Sequence, residues 1–239
     1  MQFRLDKFLS DAGIGSRREL RELIRAGRVL WNGAVCRAPE TKVSDTDLVT
    51  VDGKPVVYQR FVTVMLHKPA GYLSATMDER GDRVVTELLD ERLRRMDLKP
   101  AGRLDKDATG LLILTNDGDL IHSVISPNRH VMKRYEVTLS DPLPEDAKER
   151  FLAGIRLEDG YVCLPARLEY EPGARSAVVR IHEGKFHQVK RMFAALGSTV
   201  LTLHRTDVGG VTLDPTLAAG EYRPLTAEEA AALTERITE

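Results

Sequence analysis

The stretch Ala101 to Gly118, AGRLDKDATGLLILTNDG, decides how the rest of the chain is read. Four consecutive large aliphatics, Leu111 to Leu114, are bounded by Gly110 and by Asn116-Asp117-Gly118, which predicts a buried strand rather than an amphipathic helix. Arg103, Asp105 and Lys106 stand just ahead of it, so a charged cluster sits at the mouth of a core strand. A carboxylate buried there alone would be costly, and Asp105 must either face solvent in a cleft or find a cation. By itself the pattern also fits a solvated turn with a local Arg–Asp pair.

Composition sets the outer bounds. The 239 residues suffice for one sizeable core or for a small domain joined to a larger one, and 42% hydrophobic with 30% charged residues describes an ordinary soluble globular protein. The net charge of −1 conceals two basic regions. Residues 1–37 carry eight Lys/Arg against four acids, and residues 180–206 carry five against Glu183, each +4. Such regions on an otherwise acidic chain are what a phosphate-binding surface looks like, although a solvated charged face is the commoner origin of any one of them. Cys36 and Cys163 are too few and too far apart for a zinc site or a disulfide framework. No segment approaches the roughly 20 apolar residues of a membrane span and none reads as a signal peptide, so a cytosolic protein is expected.

Taken in order, Leu5, Phe8, Leu9 and Ala12 recur at helical spacing, and Ser16 with Glu19 forms a capping box that opens a second helix closed by Gly27. Arg17, Arg21, Arg25 and Arg28 follow at steps of four, four and three, which puts them on one helical face with Arg18 beside them. Asn32-Gly33 between Arg28–Trp31 and Ala34–Arg37 is a strong hairpin signal. Leu48–Val51 turns at Asp52-Gly53, and Lys54–Arg60 reads as a linker because Pro55 cannot continue a ladder. Beyond it, Phe61–Leu66 is a strand, residues 84–96 have helical periodicity, Asp119–Ile125 is a short helix, and Lys133–Leu139 alternates as a strand holding Tyr135. Glu145–Ala153 predicts a surface helix, Leu164–Tyr170 and Ser176–Ile181 strands, and Val189, Phe193 and Leu196 the buried stripe of a helix ended by Gly197. Lys190 and Arg191 lie beside that stripe, where long cationic side chains can reach a neighbouring cleft.

The motif G-R-L-D-x-D-x-T-G-L-L-I-L-T-N-D-G at residues 102–118 resembles the nucleophile motif of the RNA pseudouridine synthases, in the branch that modifies small-subunit ribosomal RNA; Ala108 stands where the family usually has Thr or Ser. Three further stretches agree: Lys68-Pro69-Ala70-Gly71 resembles the family's K-P-x-G, Lys133-Arg134-Tyr135-Glu136-Val137 its K-x-Y-x-V, and G-K-F-H-Q-V-K-R-M-F from Gly184 its third motif. Helix, basic helix and short strands over residues 1–58 resemble the S4 RNA-binding module. The resemblance implies an α+β protein: a small α/β S4 module over 1–58, then a synthase domain over 59–239 with a mixed, mostly antiparallel sheet flanked by helices. It implies Asp105 as the catalytic residue, Lys190 as its counter-charge in a place where the family often has Arg, and Tyr135 against the target base. Arg103, Arg17, Arg18, Arg21, Arg25, Arg28, Lys68, Lys185, His187 and Arg191 are the expected RNA contacts, with Lys68 equally readable as a brace of the cleft.

The implied partner is 16S ribosomal RNA or a small-subunit assembly intermediate, the implied target uridine 516, and the expected state a monomer with no cofactor and no metal. The reaction breaks a glycosidic bond and joins a carbon to the same sugar, which calls for no hydride, phosphate or redox step. The chain agrees in having neither a P-loop nor a dinucleotide fingerprint nor a zinc-deaminase motif. Three other readings stand beside this one: a synthase for large-subunit RNA, a non-catalytic S4-type assembly factor, and a glycoside hydrolase built on Asp105 and Asp107.

Overall fold

A computed structural model describes residues 2–233, which divide into two compact units, residues 2–62 with 89–98 and residues 63–88 with 99–233. The sequence reading ended the first module at residue 58 and kept the whole periodic stretch 84–96 in the second.

In the first unit β1 (Gln2–Arg4) leads into α1 (Leu5–Asp11) and α2 (Arg17–Arg25). The capping box forms as expected: Glu19 N–H donates to Ser16 Oγ, and Ser16 N–H to Glu19 Oε2 at 2.8 Å. β2 (Val29–Trp31), β3 (Ala34–Cys36), β4 (Lys42–Ser44), β5 (Val49–Val51) and β6 (Lys54–Pro55) follow. One sheet runs β3-β2-β5-β6 and β1 pairs with β4. Asn32 and Gly33 both take positive φ, 48° and 84°, as a two-residue hairpin between right-twisted strands requires. Leu5, Phe8, Leu9, Leu20, Ile24, Val29, Val43 and Val49 form the core.

The linker reading is corrected here. Pro55 pairs with Thr50 because β6 is an edge strand, where a missing N–H costs no ladder bond. Tyr58 then stacks on Phe8, ring centroids 4.5 Å apart, so the segment is part of the packing. The periodic stretch 84–96 is two short pieces, a 3₁₀ turn Val85–Leu88 and α3 (Glu91–Arg95), because Asp90 caps a new helix by accepting from Leu93 N–H at 2.8 Å.

The second unit is one sheet ordered β11-β12-β10-β13-β9-β7-β15, from β7 (Thr63–Lys68), β9 (Thr109–Thr115), β10 (Lys133–Leu139), β11 (Arg167–Glu169), β12 (Ser176–Ile181), β13 (Val200–Val208) and β15 (Tyr222–Pro224). Short strands β8 (Lys99–Pro100) and β14 (Val211–Thr212) pair with β9 and β13. Helices α4 (Gly118–Ile125), α5 (Ala147–Ala153), α6 (Gln188–Ala194) and α7 (Ala227–Ala232) flank it. Leu111 to Leu114 are fully buried, which is why both faces of β9 are apolar. Every named pairing is antiparallel except β9 with β13. At that junction a Cβ on Gly110, whose φ is +107°, would lie 2.2 Å from the carbonyl oxygen of Arg205. Only glycine allows these two strands to meet.

Candidate active site

Asp105 lies in the loop between β8 and β9, and Lys190 in the first turn of α6. The fold brings them together: Lys190 Nζ is 3.2 Å from Asp105 Oδ2, each side chain about one quarter exposed, at 23%. Asp107, which the sequence reading weighed only as half of a glycosidase pair, holds the same ammonium more closely, at 2.6 and 2.8 Å. That bond keeps the Asp107 carboxyl below its usual range, while burial opposes it. On Lys190 burial acts downward, and the bonds to Asp107 and Asp105 outweigh it and leave the ammonium raised. His187 Nε2 lies 3.6 Å from the other carboxylate oxygen, Asp105 Oδ1.

Two buried cations anchor the Asp105 loop from below. Lys68 is wholly buried, and its Nζ donates to the carbonyls of Ala108 at 2.7 Å, Pro69 at 3.1 Å and Lys106 at 3.3 Å. It is therefore a brace, which corrects its assignment as an RNA contact. Arg205, 1% exposed, donates from Nε to Leu111 O at 2.8 Å and from Nη1 to Arg103 O at 3.2 Å, leaving Nη2 without a partner. Its guanidinium carbon lies 6.0 Å from the centroid of the Tyr135 ring, itself 6% exposed on β10. Ser74 completes the anchorage, donating to Leu104 O and accepting from Leu104 N–H. Burial pushes the Lys68 ammonium down to about 8, against the pull of Asp107 and Asp105.

The sequence reading missed Arg205 as a site residue, although a signal exists: Leu203, Arg205 and Val208 are the buried residues of β13, so the two-residue alternation from Leu203 points Arg205 inward. His204, on the other face, has its Nδ1 2.8 Å from Thr109 Oγ1 and ties β13 to β9.

Of the remaining expected RNA contacts, Arg103 has an exposed side chain at the loop. Lys185 is exposed with Nζ 5.1 Å from the Tyr161 ring centroid, whereas Arg191 pairs with Asp159 at 2.5 Å. In the first unit, Arg21 at 3.2 Å, Arg4 at 3.1 Å and Arg17 at 3.8 Å converge on the buried carboxylate of Asp6. Burial alone would raise that carboxyl; the bonds from Arg4 and Arg21 overcome it and hold it below its usual range. Arg18 meets Glu22 at 3.7 Å. Arg28 is corrected from the helical face, since α2 ends at Arg25 and Arg28 grips Asp52 with two bonds, 2.7 and 2.5 Å.

Residues 62–195 match the family described as RNA pseudouridylate synthase, and residues 3–49 match the S4 domain. An uncharacterised RNA pseudouridine synthase of Bacillus subtilis is 44% identical, covering 97% of this chain and 98% of its own. Ribosomal small subunit pseudouridine synthase A of Vibrio cholerae is 43% identical over 96% of this chain and 99% of that one. Its namesake in Escherichia coli K12 is 42% identical over the same shares. A crystal structure of a pseudouridylate synthase superimposes with a TM-score of 0.69 at 37% identity, covering 97% of this chain and 99% of that one. Fold, motif order and near full-length likeness lead to one conclusion: the chain belongs to the RNA pseudouridylate synthase family and is a pseudouridine synthase with an S4 domain at its amino-terminal end.

Proposed function

We propose that the protein isomerises one uridine of small-subunit ribosomal RNA to pseudouridine, at uridine 516 of the 16S molecule, with Asp105 as the catalytic residue. The observation that carries the assignment is the approach of Lys190 to Asp105 at 3.2 Å, across 85 residues of sequence and at a partly open position. A carboxylate oriented by an ammonium can attack carbon or take a sugar proton. In the reaction the bond from N1 to C1′ breaks, the base turns, and C5 joins C1′; C5 gives up its proton and N1 gains one.

Lys190 orients the carboxylate. Tyr135 lies against the base, and Arg103 fills the space the uridine leaves when it swings out, a step that costs a few kcal/mol. The cations of the S4 domain supply offsetting phosphate contacts and orientation with little sequence information. The small-subunit assignment follows the names of the Vibrio and Escherichia relatives. In this reading the protein works in the cytoplasm, on RNA or on an assembling subunit. Among the described residues no helix is long and apolar enough to cross a membrane.

Tritium release from 5-labelled uridine in 16S RNA, with the modified position mapped in RNA from a deletion strain, tests this reading. Wild-type protein should release the label from one position. Asp105→Asn should release none, while folding and RNA affinity stay close to normal. Retained turnover would move catalysis to another residue, and a different mapped position would replace the substrate.

A further inference from the structure

Phe186 stands three quarters exposed, at 76%, next to the proposed site. Its ring stacks on that of His187, with centroids 3.8 Å apart and planes 19° from parallel, and His187 in turn reaches toward Asp105. An exposed ring already stacked on a second aromatic ring presents its free face as a surface on which a base can stack.

The turn that carries this ring is fixed. Lys185 N–H donates to Gln188 Oε1 at 2.9 Å and Gln188 N–H to Lys185 O at 3.1 Å. The buried Gln188 amide donates to Glu183 Oε1 at 2.6 Å, and the Glu183 carboxylate, also buried, accepts from Leu164 N–H at 2.8 Å and Tyr161 O–H at 2.7 Å. His187 sits at φ +49°, a left-handed conformation for a residue with a Cβ, which persists only where the surroundings impose it. The network therefore holds Phe186 outward instead of letting it fold back onto the sheet.

The chemistry around the ring selects the occupant. Lys185 flanks it in sequence, Lys190 and Arg191 lie within the following turn of α6, and Arg191 Nη1 donates to the Phe186 carbonyl at 3.5 Å. Lys190 is held by Asp105 and Asp107 and Arg191 by Asp159, so the exposed Lys185 is the cation placed to meet a phosphate. A flat apolar surface beside it matches an unpaired nucleobase, which offers a π face and carries a phosphate on either side.

We propose that Phe186 is a stacking platform for an unpaired base next to the target uridine, so that the base adds a third ring to the stack of Phe186 on His187. The proposal rests on the reading of this protein as an RNA pseudouridine synthase. It adds that the substrate must be single-stranded on at least one side of the uridine. Among the described residues Phe186 is the most exposed phenylalanine of the chain.

The experiment uses the full chain and a synthetic RNA tritiated at C5 of the target uridine, with an abasic residue placed on its 5′ side, on its 3′ side, or on neither. Phe186→Ala should raise KM about tenfold on intact RNA with kcat changed less than threefold, and Phe186→Trp should restore the wild-type KM. An abasic residue at the stacked flank should cost wild type the same factor, and should cost Phe186→Ala nothing more. An unchanged KM for Phe186→Ala, or losses that multiply at both flanks, would overturn the platform. So would wild-type protein indifferent to abasic residues on both sides. Failure of wild type to release tritium from any RNA would instead remove the isomerase reading beneath it.

Discussion

Lys190 Nζ lies closer to Asp107, at 2.6 Å, than to Asp105, at 3.2 Å. One ammonium thus serves two carboxylates, and the more exposed of the two holds it more tightly. Asp107 is a positioning residue in this arrangement: it fixes the lysine between itself and the proposed catalytic group.

The Asp107 side chain is 72% exposed, so Asp107→Asn should leave the fold intact. It frees Lys190 to close on Asp105 and removes a negative charge beside the RNA path. Steady-state kinetics at low salt should show KM lowered two- to threefold and kcat reduced less than tenfold. Lys190→Met should lose more than tenfold in kcat, because Asp105 then loses its ammonium partner and keeps only the imidazole of His187 nearby. Equal losses for the two variants would mean that Asp107 acts on the reaction directly.

Arg205 bonds the carbonyls of Arg103 and Leu111, on either side of Asp105. Lysine has one ammonium where arginine has a fork, and it cannot hold both. Arg205→Lys should therefore lower kcat about tenfold with KM within threefold, and amide exchange at Ala108 and Gly110 should quicken. A change in KM alone would assign Arg205 to RNA binding.

Lys133 is buried with Nζ bonded to Val131 O at 2.8 Å, and burial, aided by Arg205, pushes its ammonium from an ordinary 10.5 down to about 8. The unfolded chain then carries the extra proton between about pH 8 and 10.5, so this group adds stability as pH rises through that window and has no pH effect below it. Relative to Lys133→Met, wild type should gain on the order of 1 to 2 kcal/mol between pH 7.5 and 9.5. Thermal melts of the two proteins at both pH values measure it. A constant difference would show that the group titrates alike in both states.

Arg17 and Arg21 share the buried Asp6 carboxylate yet keep about half of their side chains exposed. Replacing Arg17, Arg21 and Arg25 by Gln should weaken RNA binding and reduce the slope of log affinity against log salt by about 2, if each meets one phosphate of a single strand. Circular dichroism guards against loss of the fold, since Asp6 would retain only Arg4. An unchanged slope would return this face to solvent.

Local rules were legible wherever a short stretch carries its own physics. The capping box at Ser16 and Glu19, the Asn32-Gly33 hairpin and the apolar run of β9 depend on neighbours within a few residues. The stretch 84–96 misled because apolar spacing is blind to an N-cap, and Asp90 restarts the helix there. Lys68 looks on paper like any surface cation, and only the alternation from Leu203 hints at Arg205; burial turned both inward, where loop carbonyls were the acceptors at hand.

Sequence alone determined which residue types were present and in what order, and hence the family to which they belong. It could not determine that Asp107 competes for Lys190, that Phe186 is held outward, or that Arg205 grips the loop of Asp105. The bonds that decide them join positions from 19 residues apart, Leu164 to Glu183, to 102 apart, Arg103 to Arg205, set by the meeting of β9 with β13 and the docking of α6, and no local pattern encodes a distance across a sheet.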